Sequence, residues 1–156
     1  MAVSVEAGTR VTGRVNVHAA DWAAAVRAAT QLLVTSGAVS ERYADRCVNI
    51  VREQGPYIVI APGIALAHAR PEDGAHALGL AAVCLAEPVR FGHQTNDPVD
   101  VVFAFSSPEP DAHVGLIASL ARALADGLAD RFRLAATDEA ATLLLQGVIN
   151  DEQQLR

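Results

Sequence analysis

Ile64-Ala65-Leu66-Ala67-His68-Ala69-Arg70-Pro71-Glu72 alternates large and small apolar residues, brings one imidazole to the end of the run, and then breaks into a charged turn. Period-two alternation is the pattern of a β-strand, and it puts Ile64, Leu66 and His68 on one face. A histidine in that place is either a polar residue satisfied at a strand end or a candidate nucleophile. The second reading has a chemical basis. Imidazole is neutral and nucleophilic near pH 7 and is also a good leaving group, the two properties that reversible phosphoryl transfer needs.

Outward from this strand, the same kind of reading organises the chain. Upstream, Tyr57–Ala61 and the Pro62-Gly63 turn make the region two short strands or one interrupted strand. Before it, Ser40 caps a helix with Glu41 in its first turn, Tyr43, Cys47, Ile50 and Val51 as its buried stripe, and Arg52-Glu53 in its last turn before Gly55-Pro56. An earlier helix starts at Asp21 as N-cap, carries Trp22, Val26, Ala29 and Leu33 at helical spacing, and stops at Ser36-Gly37. Arg10–Val17 reads as a strand.

Downstream, Arg70–Gly74 is a loop, Ala77–Leu85 a buried strand, and Glu87–Pro98 a long connection containing Phe91-Gly92-His93. Val99–Phe105 is a further strand. A helix follows from near Ala112, with His113, Ile117, Leu120 and Leu124 on one stripe. Gly127 interrupts it, Leu128–Leu134 forms a short helix, and Thr137 caps a final helix from Asp138 to about Ile149 with Ala141, Leu144, Leu145 and Val148 inward. Helices before, between and after four or five strands predict an α/β domain with a helix-covered sheet. One domain is expected over residues 10–150, with residues 1–9 loosely held.

Composition removes whole classes of function. The chain has 156 residues, 51% of them hydrophobic and 19% charged, which suits one globular domain and not a disordered chain. A net charge of -6 and the lack of any Arg cluster argue against nucleic-acid binding, which rests on arrays of cations. Cys47 and Cys84 are far apart, the first residues lack the pattern of a secretory leader, and no apolar run approaches the ~20 residues that cross a bilayer. A cytoplasmic location, with no direct membrane insertion, is expected.

Two residues stand beside His68 as candidates. Arg52 ends the helix that feeds the His68 region, and a guanidinium fork can hold two phosphate oxygens; an arginine there is equally a surface residue complementing a helix C-terminus. His113 lies on an apolar stripe near a helix N-terminus that favours anions, or is a core histidine bonded to a carbonyl. The spacing of His68, His76, His93 and His113 is too irregular for a metal site. His93 reads as a solvated or rim residue, His18 and His76 as exposed, and Cys84 as an apolar filler.

Taken in order, Arg52-Glu53, Ile64-Ala65-Leu66-Ala67-His68, Pro88-Val89-Arg90-Phe91-Gly92, and Asp97-Pro98-Val99 followed by Ala112-His113 with Leu116, Leu120 and Leu124 form a pattern. Over roughly residues 20–148 the chain resembles the EIIA domain of the mannitol, fructose and ascorbate branch of the bacterial phosphoenolpyruvate-dependent sugar phosphotransferase system. The Arg70-Pro71-Glu72-Asp73-Gly74 continuation looks most like ascorbate-type members.

This resemblance implies a three-layer α-β-α fold with a mixed sheet, and a phosphotransferase that works through a phosphohistidine. His68 would be the phosphorylated nucleophile through Nε2, Arg52 the residue that neutralises the phosphoryl charge, and His113 the second histidine beside it. The donor would be HPr and the acceptor a cysteine of an EIIB component, with a membrane EIIC as the indirect partner in sugar uptake; no cofactor or metal is implied. A regulatory, phosphorylation-dependent binding module of the same fold is the alternative. Ala67 departs from the pattern, since many members carry proline there.

Overall fold

Residues 79–85 and 99–105 carry almost no polar side chains, and strands without a polar face must be covered on both sides. That requirement shapes the molecule. The computed structural model describes residues 9–154, apart from the side chains of 112, 113 and 152–154. Five strands, β1 (Arg10–Val17), β2 (Val59–Ala61), β3 (Ile64–Ala67), β4 (Gly79–Val89) and β5 (Val99–Ser106), form one sheet in the spatial order β1-β4-β5-β3-β2. The pairs β1/β4 and β3/β5 are parallel, whereas β4/β5 and β2/β3 are antiparallel, so the sheet is mixed as expected.

Two helix layers complete the sandwich. Helices α1 (Trp22–Thr35) and α2 (Glu41–Gln54) pack Val26, Leu33, Tyr43, Cys47 and Val51 against the alanine-rich face that includes Ala65, Ala67, Ala81 and Ala104. On the other face, α3 (Pro110–Ala125), α4 (Leu128–Leu134) and α5 (Asp138–Gln154) bring Leu116, Leu120, Phe132 and Leu145 onto Leu66, Leu80, Phe103 and Phe105. The alternation along each strand thus sorts small residues to one layer and large ones to the other. Among the described residues no helix is long and apolar enough to cross a membrane.

Several boundaries differ from the sequence reading, each for a local reason. The run from Tyr57 to His68 is two strands, paired antiparallel through Pro62-Gly63, where Gly63 takes a φ of 77° that favours glycine. Strand β4 extends past Leu85 to Val89, which pairs with Val99, because its last residues are exposed and lack the apolar signal that marks the rest. Helix α5 likewise runs on to Gln154 through polar residues. Asp21 caps α1 through a bond from Ala24 N at 2.9 Å, and Thr137 caps α5 through one from Ala140 N at 3.0 Å. Ser40 sits at the α2 N-cap, but its hydroxyl makes no capping bond. Residues 1–8 of the segment expected to be loose lie outside the described residues.

Close approach of α5 to β1 depends on a residue without a side chain. Gly13 N donates to Thr142 Oγ1 at 2.9 Å, and Val15 N donates to Asp138 Oδ1 at 2.9 Å, so the helix satisfies strand amides that the sheet leaves open. A Cβ on Gly13 would lie 2.9 Å from both the Ala141 carbonyl carbon and Thr142 N, which are backbone atoms with no rotamer to change. In an unobstructed strand, replacing glycine by alanine stabilises by roughly 0.5–1 kcal/mol. Here the sign reverses. Gly13→Ala is expected to destabilise the fold by about 1–3 kcal/mol, the range for overpacking, read as a lower urea midpoint with an unchanged denaturant slope.

Candidate functional site

Parallel strands β3 and β5 are in register through Ala67 and Ala104, so the residues that follow them emerge side by side. His68 and Phe105 are those residues, and their rings stack with centroids 4.9 Å apart and planes 20° apart. The face shared by Ile64 and Leu66 is the one packed under α3–α5. Nδ1 of His68 is buried, and the residue as a whole is half-buried. The ends of parallel strands, where the chain departs to opposite faces of the sheet, are a common position for sites in α/β folds.

Tyr43, from the buried stripe of α2, braces this place. Its hydroxyl accepts from Ala69 N at 3.0 Å and donates to the Phe105 carbonyl at 2.7 Å, tying the residue after His68 to the residue beneath the imidazole. The longer 3.4 Å approach to the Ala69 carbonyl competes for the same single proton. Tyr43 is 1% exposed, and burial first and the nearby Cys47 second push its phenol well above the usual tyrosine range. It therefore stays neutral, which a hydroxyl must be to accept and donate at once.

Above His68 lies an open depression of about 460 Å³. Its walls come from three places: Arg46, Ile50 and Gln54 along one face of α2, Arg70 and Asp73 from the loop after β3, and Pro110 with Val114 at the start of α3. Two arginines and one aspartate thus share the lining. Arg46 contacts Glu53 at 3.2 Å and Asp73 at 4.0 Å, and Asp73 also accepts from Arg70 N at 3.0 Å. Tyr57 and Val114 add apolar rim surface, at 50% and 67% exposure.

The three site residues expected from the sequence are placed differently. His68 is at the depression. Arg52 is exposed on another side of α2, with its guanidinium carbon 5.8 Å from the Trp22 ring centroid, and Trp22 in turn packs 6.3 Å from Phe91. It is not among the residues lining the depression. Six positions separate it from Arg46, a turn of about 240° around a helix axis, so the two arginines cannot face the same way. His113 falls in the first turn of α3, between two residues that line the depression, and its side chain is outside the described residues.

The remaining histidines also have assigned places. His18 and His76 are exposed, as expected. His93 is half-buried and locally bonded: its Nδ1 accepts from Thr95 N at 3.2 Å and Asn96 N at 3.0 Å, while Asp97 accepts from the backbone N–H groups of Phe91, Gly92 and His93. The loop holds itself through these bonds. Cys84 is half-buried and Cys47 fully so.

This five-stranded sandwich has counterparts among known proteins. The family described as phosphoenolpyruvate-dependent sugar phosphotransferase system, EIIA 2, matches residues 11–147. The chain belongs to that family. An ascorbate-specific PTS system EIIA component from Shigella boydii is 38% identical over 100 residues, covering 64% of this chain and 65% of its own length. The match thus spans a little under two thirds of that relative. The mannitol-specific cryptic phosphotransferase enzyme IIA CmtB of Escherichia coli superposes with a TM-score of 0.75 at 27% identity, covering 86% of this chain and 90% of its own. The E. coli mannitol enzyme IIA, solved in complex with phosphorylated enzyme IIB, shares the fold with a TM-score of 0.69 at 24% identity, covering 90% and 94%.

Two outcomes are expected for the brace behind His68. Tyr43→Phe leaves the buried Ala69 N–H without its acceptor, at a cost of about 1–3 kcal/mol in urea unfolding. The second concerns alkaline pH. Burial, with Asp73 as the next cause, pushes the Cys47 thiol from 9.0 up to about 12, and Tyr43 is also raised. In the unfolded chain these groups ionise near ~8.5 and ~10, so above that range the unfolded state binds fewer protons than the folded one. Their contribution is therefore complete below pH ~8.5 and is lost as pH rises towards the folded values. The urea midpoint should fall between pH 9 and 11, and less steeply in Cys47→Ala.

Proposed function

We propose that this EIIA-family protein is a phosphocarrier of a sugar phosphotransferase system, taking a phosphoryl group from phospho-HPr on His68 and passing it to a cysteine of an EIIB component. The observation that carries this reading is the mounting of His68. One nitrogen is buried, the ring is stacked on Phe105, and the residue lines a depression that Arg46 and Arg70 also line. The relative named as an ascorbate-specific EIIA component favours ascorbate as the sugar.

The step balances without an external acid or base. A lone pair on Nε2 of neutral His68 forms the N–P bond as the donor histidine's N–P bond breaks, and that electron pair returns to the donor ring. Each ring keeps the proton on its other nitrogen. Charge in the transition state is spread over three equatorial oxygens, so the protein's task is positioning and electrostatic stabilisation. His113, in the first turn of α3, is the proposed hydrogen-bond donor to one of those oxygens. In the second transfer the EIIB thiolate attacks the same phosphorus, and His68 leaves as a neutral imidazole.

Shape and charge both suit a protein donor and acceptor. The depression is open, as it must be if a second protein's histidine or cysteine is to reach phosphorus in line. Tyr57 and Val114 supply exposed apolar surface at its rim, 50% exposed or more, of the kind that fills the core of a transient interface. The fold-sharing mannitol enzyme IIA has been solved with phosphorylated enzyme IIB.

The relay is tested by mixing the protein with EI, HPr and labelled phosphoenolpyruvate and following acid-labile phosphate. Wild type is expected to take up one label that chases onto EIIB. His68→Ala, with its fold checked by circular dichroism, should take up none. Label that persists in His68→Ala would remove His68 from the reaction. Label that forms on wild type but chases onto no EIIB would favour the regulatory module instead.

A further inference from the structure

The depression contains an arrangement that the family resemblance does not supply. We propose that the phosphoryl group on His68 is held by Arg46 and Arg70 together, and that Arg52, the arginine the sequence pattern points to, takes no part in holding it. This rests on the phosphocarrier reading of His68. Arg46 projects from the α2 face that also carries Ile50 and Gln54 into the depression, and Arg70 reaches the same space from the loop two residues beyond the imidazole. His68 and Arg70 are two residues apart, and both line the depression.

Asp73 organises both cations. Its carboxylate accepts from Arg70 N at 3.0 Å and stands 4.0 Å from Arg46 Nε, in a loop tightened by the single 3-10 turn Pro71–Asp73. The Arg70 backbone is thereby fixed, while the Arg46 contact at 4.0 Å is loose enough to be exchanged for a better acceptor. A phosphoryl dianion is that acceptor, because a guanidinium binds two of its oxygens in parallel. Glu53 holds the other side of Arg46 at 3.2 Å, so the side chain is steadied before any phosphoryl group arrives. Arg52, by contrast, lies over Trp22 on a different side of α2.

Arg46→Gln, Arg70→Gln and Arg52→Gln separate these roles in steady-state phosphoryl transfer from phospho-HPr. Arg46 is partly exposed and Arg70 and Arg52 are exposed, so all three substitutions are expected to leave the fold intact, which thermal unfolding checks. Arg46→Gln and Arg70→Gln should each lower kcat by about tenfold to a hundredfold with KM for phospho-HPr within about threefold, the signature of a contact made to the transferring group. Arg52→Gln should change kcat by less than about threefold. Arg46→Lys and Arg70→Lys, which keep the charge without the fork, should recover only part of the loss.

A wild-type kcat in either Arg46→Gln or Arg70→Gln overturns the shared hold. So does a rise in KM alone, which would make the arginines a docking surface for HPr, or a large loss of kcat in Arg52→Gln. All of these presuppose that wild type accepts the phosphoryl group. If it does not, the phosphocarrier reading itself fails, and the two failures are told apart by the wild-type lane.

Discussion

The Tyr43 hydroxyl is the contact on which the site depends. Strands β3 and β5 run parallel and their ladder ends at Ala67 and Ala104, and the end of a parallel ladder has no turn of its own to hold it. Tyr43 supplies the missing link by accepting from Ala69 N and donating to the Phe105 carbonyl. Since His68 lies between Ala67 in the ladder and Ala69 on this hydroxyl, its backbone is fixed on both sides, and Phe105 fixes its ring. The hydroxyl in turn is available only because α2 packs its stripe into the alanine-rich face of the sheet. A small-residue face, a buried tyrosine and a positioned histidine are therefore one construction.

The sequence made the layers legible because periodicity is a local signal. Val26, Ala29 and Leu33 in α1, and Tyr43, Cys47, Ile50 and Val51 in α2, are all buried where helical spacing puts them. Boundaries were harder where exposed polar residues continue an element, as at the end of β4 and of α5. The Tyr43 bridge was not legible at all. Its partners lie 26 and 62 residues away, so nothing near Tyr43 distinguishes its hydroxyl from a passive part of an apolar stripe.

Arg52 illustrates a different limit. Family likeness pointed to it through the Arg-Glu pair at a helix end, and that likeness concerns order along the chain. Orientation around the helix is a separate quantity, and the residues themselves carried it. If Tyr43 and Ile50 face the sheet, Arg46, three residues from one and four from the other, stands beside them, whereas Arg52 turns away. Helical geometry thus contained a signal that Arg46 lines the depression and Arg52 does not. Arg70 was hidden in another way, since a charged residue in a loop before proline reads as a turn and not as part of a site.

Ala67 occupies a position where many members of the family carry proline, and its effect can be weighed against what surrounds it. Proline would stiffen the approach to the nucleophile by locking φ, at the expense of a backbone donor. Here Ala67 is 1% exposed and in register with Ala104, and the next constraint, from Tyr43 to Ala69, comes two residues later. Between those two ties the chain has room for one residue, and that residue's ring is stacked. Covalent stiffness is thus replaced by burial, ladder pairing and one hydroxyl. The imidazole keeps a defined place because the residues on either side of it are tied down.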